Sequence, residues 1–241
     1  MHGNSSSKKV FSNQLNSPEL NRYNLISIDL TGHGSSGRLK KDEFYTVDHY
    51  AEVLGAFVEK LELKNIIAVG HSLGAHITTK FATLNKTIGL FNIQNTPLDS
   101  VSDLDRAISQ DTKFSSFFSG SYDESAILKL QQALFTNSKY SKHFLKDFYN
   151  TDPKCRDDLL NYIKSNPKLD EISSISNFKH PYALIAGRED FYCNQDYLKS
   201  IIALKESLKF IDNSAHFPML ETPKEFNSLL NKFIERCDST L

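Results

Sequence analysis

The stretch Ile66-Ile67-Ala68-Val69-Gly70-His71-Ser72-Leu73-Gly74-Ala75-His76 constrains this chain more than any other. A short apolar run rich in β-branched residues feeds a Gly-x-Ser-x-Gly turn, and a helix-compatible segment from Ala75 to Ala82 follows at once. The order is strand, tight turn, helix. A serine pushed out on such a strained turn needs neighbours without bulk, and Gly70 and Gly74 let the backbone and the next strand come close. Ser72 is therefore the candidate nucleophile. The pentapeptide alone is a weak signal; the strand before it and the helix after it give it meaning.

The flanking sequence supplies a frame for that turn. Leu25-Ile26-Ser27-Ile28-Asp29-Leu30 reads as a strand by its β-branched content, with Asp29 near its end and the turn-rich Thr31 to Gly37 after it. From Thr46 onward Val47, Tyr50, Val53, Leu54, Phe57, Val58 and Leu61 recur mostly at steps of three and four, which predicts an amphipathic helix leading into the elbow strand. Strand, helix, strand implies a parallel pair. Further strands are predicted at Ile88 to Ile93, Tyr182 to Ala186 and Leu208 to Ile211, and a last helix from Pro223 to Ile234, whose Phe226, Leu229, Leu230, Phe233 and Ile234 share a face. Residues 99–178 carry helical patterns and no convincing strand. The chain is thus expected to be α/β, with a core of residues 1–98 and 179–241 and a helical insertion at 99–178.

Composition narrows the partners. The 28 Lys and Arg against 29 Asp and Glu leave a net charge of −1, with no basic face for nucleic acid or an anionic membrane, so a small-molecule substrate is expected. The three cysteines, Cys155, Cys193 and Cys237, are widely spaced with no Cys-x-x-Cys pair, which predicts free thiols in a reducing compartment and no zinc site. The first residues hold no apolar signal segment and the chain no run of about 18 apolar residues, so neither a signal peptide nor a membrane span is expected, and the cytoplasm is the simplest location. No metal or organic cofactor is called for.

A serine hydroxyl needs a base, and the base needs a carboxylate to fix its tautomer. Eight histidines are present: His2, His33, His49, His71, His76, His143, His180 and His216. His216 follows the last predicted strand in Asp212-Asn213-Ser214-Ala215-His216-Phe217-Pro218, a loop that leaves its ring free to point into a cleft. His71 is the variable position of the elbow, His33 lies in a tight turn, and His49 and His76 sit on helices, where structural or solvated roles are commoner. The acid is expected at another strand end. Asp190 in Gly187-Arg188-Glu189-Asp190 is favoured, with Glu189 and Asp196 as competitors.

The order Ser72, Asp190, His216 resembles the α/β-hydrolase superfamily of esterases, lipases and C–C hydrolases over nearly the whole chain. The matching segments are His2-Gly3-Asn4-Ser5, Asp29-Leu30-Thr31-Gly32-His33-Gly34-Ser35-Ser36, Gly70-His71-Ser72-Leu73-Gly74, Gly187-Arg188-Glu189-Asp190 and His216-Phe217-Pro218. The resemblance implies a mostly parallel sheet flanked by helices, the insertion 99–178 as a cap over the site, and an oxyanion hole formed by the backbone N–H groups of Leu73 and Asn4. It also implies a serine hydrolase cleaving a carboxylic ester or related acyl compound through an acyl-enzyme, with thioester, lactone, C–C, peracid and acyl-transfer chemistry open on the same residues. The serine separates the chain from relatives that carry an aspartate there.

One departure stands out. In the family the His-Gly motif ends a central strand preceded by two others, and here only Met1 precedes His2. The expectation is a sheet with a gap between Leu25–Leu30 and Ile66–Val69, reflecting a truncated chain or a downstream start; the alternative is that Leu25–Leu30 moves over to pair with Ile66–Val69. The reading from another class is a non-catalytic module or inactive fragment. The aromatics Phe114, Phe117, Phe118, Tyr122, Phe135, Tyr140, Phe144, Phe148 and Tyr149 are read as cap core before pocket lining.

Overall fold

A computed structural model describes residues 1–84 and 87–239. Its centre is a four-stranded parallel sheet in the order β1 (Ile66–His71), β2 (Thr87–Ile93), β3 (Tyr182–Gly187), β4 (Leu208–Ile211). Val69 lies opposite Phe91, Phe91 opposite Ala183, and Ile185 opposite Lys209. Every residue of β2 and β3 is buried, as expected of parallel strands covered on both faces. All the C-terminal strand ends therefore open on one edge, and the site is built there.

Helices cover the sheet because their apolar stripes match its faces. On one side lie α1 (Val47–Lys60) and α2 (Leu73–Leu84), whose Ala51 and Phe81 pack with Ala68, Leu90, Leu184 and Ala186. Helix α1 begins at Thr46, whose hydroxyl accepts the His49 N–H at 3.0 Å, with Asp48 in the first turn and Lys60 in the last to suit the helix dipole. Between β2 and β3 run several short helical turns and α3 (Glu124–Leu134), α4 (Phe144–Asn150), α5 (Lys154–Ser165) and α6 (Glu171–Asn177). Helix α6 packs its Ile175 with the α1 and α2 side of the sheet. After β3 comes α7 (Gln195–Ser200), and after β4 comes α8 (Pro223–Asp238), which opens on a proline at its first turn and covers the opposite face with Phe226, Leu230, Phe233, Ile234 and Cys237.

The expected strand at Leu25–Leu30 does not form. The segment makes no ladder among the described residues, and Ile26 is 51% exposed. Beside β1 lies Met1 instead, whose amino group donates to Val69 O at 2.7 Å and whose carbonyl accepts His71 N–H at 3.0 Å. Leu30 reaches only the next residue, donating its N–H to His2 Nε2 at 2.9 Å. Met1 and His2 stand between one end of the segment and β1, no ladder partner for the segment occurs among the described residues, and it does not shift over to β1. Of the aromatics read as core, Phe114, Phe117, Phe135, Phe144 and Phe148 are buried together, while Phe117 and Phe118 also line a cavity. The three cysteines are free and buried. No helix among the described residues is long and apolar enough to cross a membrane.

Candidate active site

The elbow holds Ser72 in a left-handed conformation, φ 51°, between the end of β1 and the first residue of α2. That conformation is costly for a residue with a side chain and persists only where the surroundings dictate it. They do so here. Ser72 N–H donates to Ile93 O at 2.9 Å, and a Cβ on Gly70 would stand 2.3 Å from Gly74 O and 2.6 Å from Ala75 Cα. A Cβ on Gly74 would stand 2.5 Å from the carbonyls of Met1 and His2, so both glycines answer to close backbone approach.

Asp190 turns in just past β3 and His216 lies in the loop after β4. The His216 Nδ1–H donates to Asp190 Oδ2 at 2.9 Å, both side chains being 1% exposed. Burial alone pushes the Asp190 carboxyl up, but the His216 ring and the donors around it bring it below its usual value, so it is ionised at neutral pH. Its Oδ1 accepts Tyr192 N–H at 2.8 Å, and its Oδ2 also accepts from Gln94 Nε2, whose own Oε1 is fixed by Gly187 N–H at 2.6 Å. The competitors stay outside: Glu189 and Asp196 are exposed, and Asp196 pairs with Lys199 at 3.1 Å.

The backbone of His216 is held as firmly as its ring. Its N–H donates to Leu134 O at 3.1 Å and its carbonyl accepts His71 Nε2–H at 2.8 Å. Burial pushes the His71 pKa well below the usual value, leaving a neutral ring with its proton on Nε2. The buried Glu221 adds a brace, accepting Ala215 N–H at 2.8 Å with one oxygen and the N–H and hydroxyl of Thr136 at 2.7 Å with the other.

Two further histidines shape the loop that carries Asn4. His2 Nδ1–H donates to Gly3 O at 2.8 Å while Nε2 accepts from Leu30; His33 Nδ1–H donates to Thr31 O at 3.1 Å while Nε2 accepts Ser5 N–H at 3.3 Å. A ring that must accept on one nitrogen is neutral, and burial accordingly lowers His2 to about 3 and His33 to about 4. The loop passes so close to the elbow that a Cβ on Gly3 would stand 3.0 Å from Ser72 Cβ. Leu73 N–H lies in the first turn of α2, where backbone donors have no intrahelical acceptor.

Asn4, Ser72 and Leu73 share a cavity of about 360 Å³ with Gln94, Tyr192 and Cys193, its wall part apolar, at Leu98, Ile108, Phe117 and Leu159, and part charged, at Lys80, Asp170 and Glu171. Cys193, Asp190 and His216 offer ligand atoms within 4.8 Å of one another; Asp190 Oδ2 and His216 Nδ1 are committed to each other, and burial pushes the Cys193 thiol well above its usual pKa. His76, on the cavity wall, donates through Nδ1 to Glu171 at 2.7 Å. Burial there works against protonation, and the Glu171 carboxylate outweighs it and raises the His76 pKa. The sequence reading missed Gln94, Glu221 and Glu171. Only Gln94, immediately after a predicted strand, carried a positional signal.

The model of the family described as alpha/beta hydrolase fold matches residues 1–223. The chain belongs to this family. Among curated α/β-hydrolase relatives it is 24% identical to protein ABHD8 of Bos taurus over 97% of this chain and 55% of that protein, and 24% identical to the AB hydrolase superfamily protein YisY of Bacillus subtilis over 97% and 89%. The chain spans about half the length of the ABHD8 proteins it matches. Among solved structures it is similar to an N-acyl homoserine lactonase, AidH, in complex with N-butanoyl homoserine, with TM-score 0.90 and 23% identity over 98% of this chain and 87% of that one. It is also similar to a Burkholderia cenocepacia protein described as a putative aryl esterase, with TM-score 0.80 and 20% identity over 99% and 89%. At these identities the likeness to solved structures is one of fold. Membership supports a hydrolase.

Proposed function

We propose that this α/β hydrolase cleaves small carboxylic esters and lactones, with Ser72 as nucleophile, His216 as general base and acid, and Asp190 as the carboxylate that orients it. The observation that carries this reading is the buried pair of Asp190 and His216 at 2.9 Å, set just past β3 and β4, with Ser72 at φ 51° just past the end of β1 in the same parallel sheet. With Nδ1–H committed to Asp190, His216 presents a lone pair on Nε2 to the Ser72 hydroxyl. Ser72 Oγ attacks the substrate carbonyl carbon as its proton passes to His216, and the carbonyl electron pair moves onto oxygen. The N–H groups of Leu73 and Asn4 are proposed to hold that oxyanion. Collapse expels the alcohol oxygen, which takes the proton from His216; from a lactone the new hydroxyl stays tethered to the acyl group. Water, deprotonated by His216, then releases the acid and restores Ser72.

A cavity of about 360 Å³ suits a small acyl substrate, and its apolar stretch at Leu98, Ile108, Phe117 and Leu159 suits an acyl chain, while the polar remainder of the wall suits a polar leaving group. The lactonase and esterase names among the structural neighbours favour oxygen esters, open or cyclic, over thioesters or C–C bonds. The test is intact mass after exposure to a fluorophosphonate, followed by turnover of p-nitrophenyl butyrate and of an N-acyl homoserine lactone. One adduct that is absent from Ser72→Ala, together with turnover of at least one substrate, is expected. A folded protein that neither labels nor turns over refutes the reading.

A further inference from the structure

The largest fully buried side chain among the described residues is an arginine on α5, Arg156. Arg156 is 0% exposed and forms no ion pair among the described residues. Its plane lies over Phe148 at 4.3 Å and Tyr122 at 5.4 Å, and its Nη2 is buried without a partner. An unpaired buried guanidinium is a costly way to fill space, since apolar side chains of similar volume serve stability as well or better. The hydrogen bonds it does make run in one direction. Nη1 donates to Ser5 Oγ at 3.1 Å and to Phe148 O at 3.4 Å, and Nε donates to Ser119 O at 2.9 Å.

Ser5 passes the connection on. Its hydroxyl accepts from Arg156 and spends its single proton on Asn4 Oδ1 at 3.3 Å, while Asn4 Nδ2 donates to Phe117 O at 2.7 Å. The result is a closed circuit: guanidinium, Ser5, Asn4, Phe117, and along the chain to Ser119 and back to the guanidinium. Ser5 sits at φ 54°, a conformation that needs such restraint. One side of the circuit is the loop beside Ser72; the other is the segment whose Phe117 ring stands 6.1 Å from the His216 ring.

We infer that Arg156 is a positioning residue that fixes Asn4 through Ser5 and the cavity wall at Phe117 through Ser119, so that the helical segment over the site sets the geometry of the oxyanion donor. This rests on the serine-hydrolase reading. The burial that lowers the Arg156 pKa leaves the side chain a cation, whose polarising of the Ser5 hydroxyl strengthens the bond to Asn4.

The test compares wild type with Ser5→Ala, Arg156→Lys and Arg156→Met for hydrolysis of p-nitrophenyl butyrate and inhibition by an arylboronic acid, which forms a tetrahedral adduct on the serine. Ser5→Ala is expected to lower kcat about ten- to a hundredfold, less than the hundred- to thousandfold typical of deleting an oxyanion donor. KM should stay within about threefold, boronate affinity should fall in step with kcat, and Arg156→Lys should recover part of the Arg156→Met loss, since loss of transition-state binding alone gives that pattern. Unchanged kcat in Ser5→Ala, or a loss carried by KM with boronate affinity intact, overturns the inference. Ser5→Ala carries the test if Arg156→Met does not fold. Should wild type itself be inactive, the ester reading falls, and hydrogen exchange of residues 1–8 decides the structural link: faster exchange in Ser5→Ala supports it, and unchanged exchange overturns it.

Discussion

Asp190→Asn preserves shape and removes one charge, and the donors around the carboxylate make its effect large. Asp190 accepts from Tyr192 N–H on one oxygen and from His216 Nδ1–H and Gln94 Nε2 on the other. An amide has one accepting oxygen and one donating nitrogen. If the oxygen stays toward Tyr192, the NH2 faces two donors; if it turns to them, the NH2 faces the Tyr192 N–H. Gln94 cannot relieve the conflict by flipping, because its Oε1 is held by Gly187 N–H at 2.6 Å. The least costly escape is for His216 to move its proton to Nε2 and accept on Nδ1, which removes the base that Ser72 needs. Loss of the correct tautomer is worth about 10⁴ in kcat, or roughly 5.5 kcal/mol at 1.36 kcal/mol per decade. Each buried donor left unmatched adds about 1–3 kcal/mol of lost stability. Steady-state hydrolysis of p-nitrophenyl butyrate, with urea unfolding of the same samples, checks both. A variant that keeps kcat within tenfold of wild type refutes the assignment of Asp190, and with it the tautomer argument.

Gly70→Ala should cost at least about 1–3 kcal/mol, because the new methyl stands 2.3 Å from a backbone carbonyl that cannot swing away, and fluorophosphonate labelling should fall with the urea midpoint. Phe226→Ala should cost about 3–5 kcal/mol without changing kcat, since the ring is fully buried, edge-on to Phe91 at 5.8 Å and on the far face from α2; a shift in urea midpoint worth less than 1 kcal/mol would contradict it. Stability should also fall in mild acid. His2 and His33 titrate at about 3 and about 4 when folded and near 6.5 when unfolded, so between these values the unfolded chain binds more protons. Their contribution is complete above pH 6.5 and is lost as pH falls through that window at about 1.4 kcal/mol per unit for each ring; a urea midpoint constant from about pH 7 to pH 4.5 would refute it.

What could be read from the sequence and what could not separate along a physical line. The elbow is local: β-branched residues before it, glycines two either side of Ser72 and a helix former after it leave the backbone few choices, and Leu73–Leu84 begins where the turn demands. Asp190 and His216 could be found because a parallel sheet collects its strand ends on one edge, so a carboxylate and a histidine just past two predicted strands meet there whatever the loops do. Of the residues that hold them, only Gln94, just past a predicted strand, gave a comparable sign. Gln94 reaches its carboxylate across 96 residues, Glu221 reaches Thr136 across 85 and Arg156 reaches Ser5 across 151, and nothing in the neighbourhood of each predicts the other. The strand expected at Leu25–Leu30 fails for the converse reason. Its composition favours an extended chain, but a ladder requires a second backbone at about 4.8 Å, and among the described residues Leu30 alone of the segment meets His2, through a side chain rather than a ladder bond. The buried end of the segment, Asp29 and Leu30, is the end that meets His2, Lys8 and Ser35, while Ile26 is half exposed. Propensity belongs to one segment and pairing to two, so the sequence of the first carries no trace of whether the second is present.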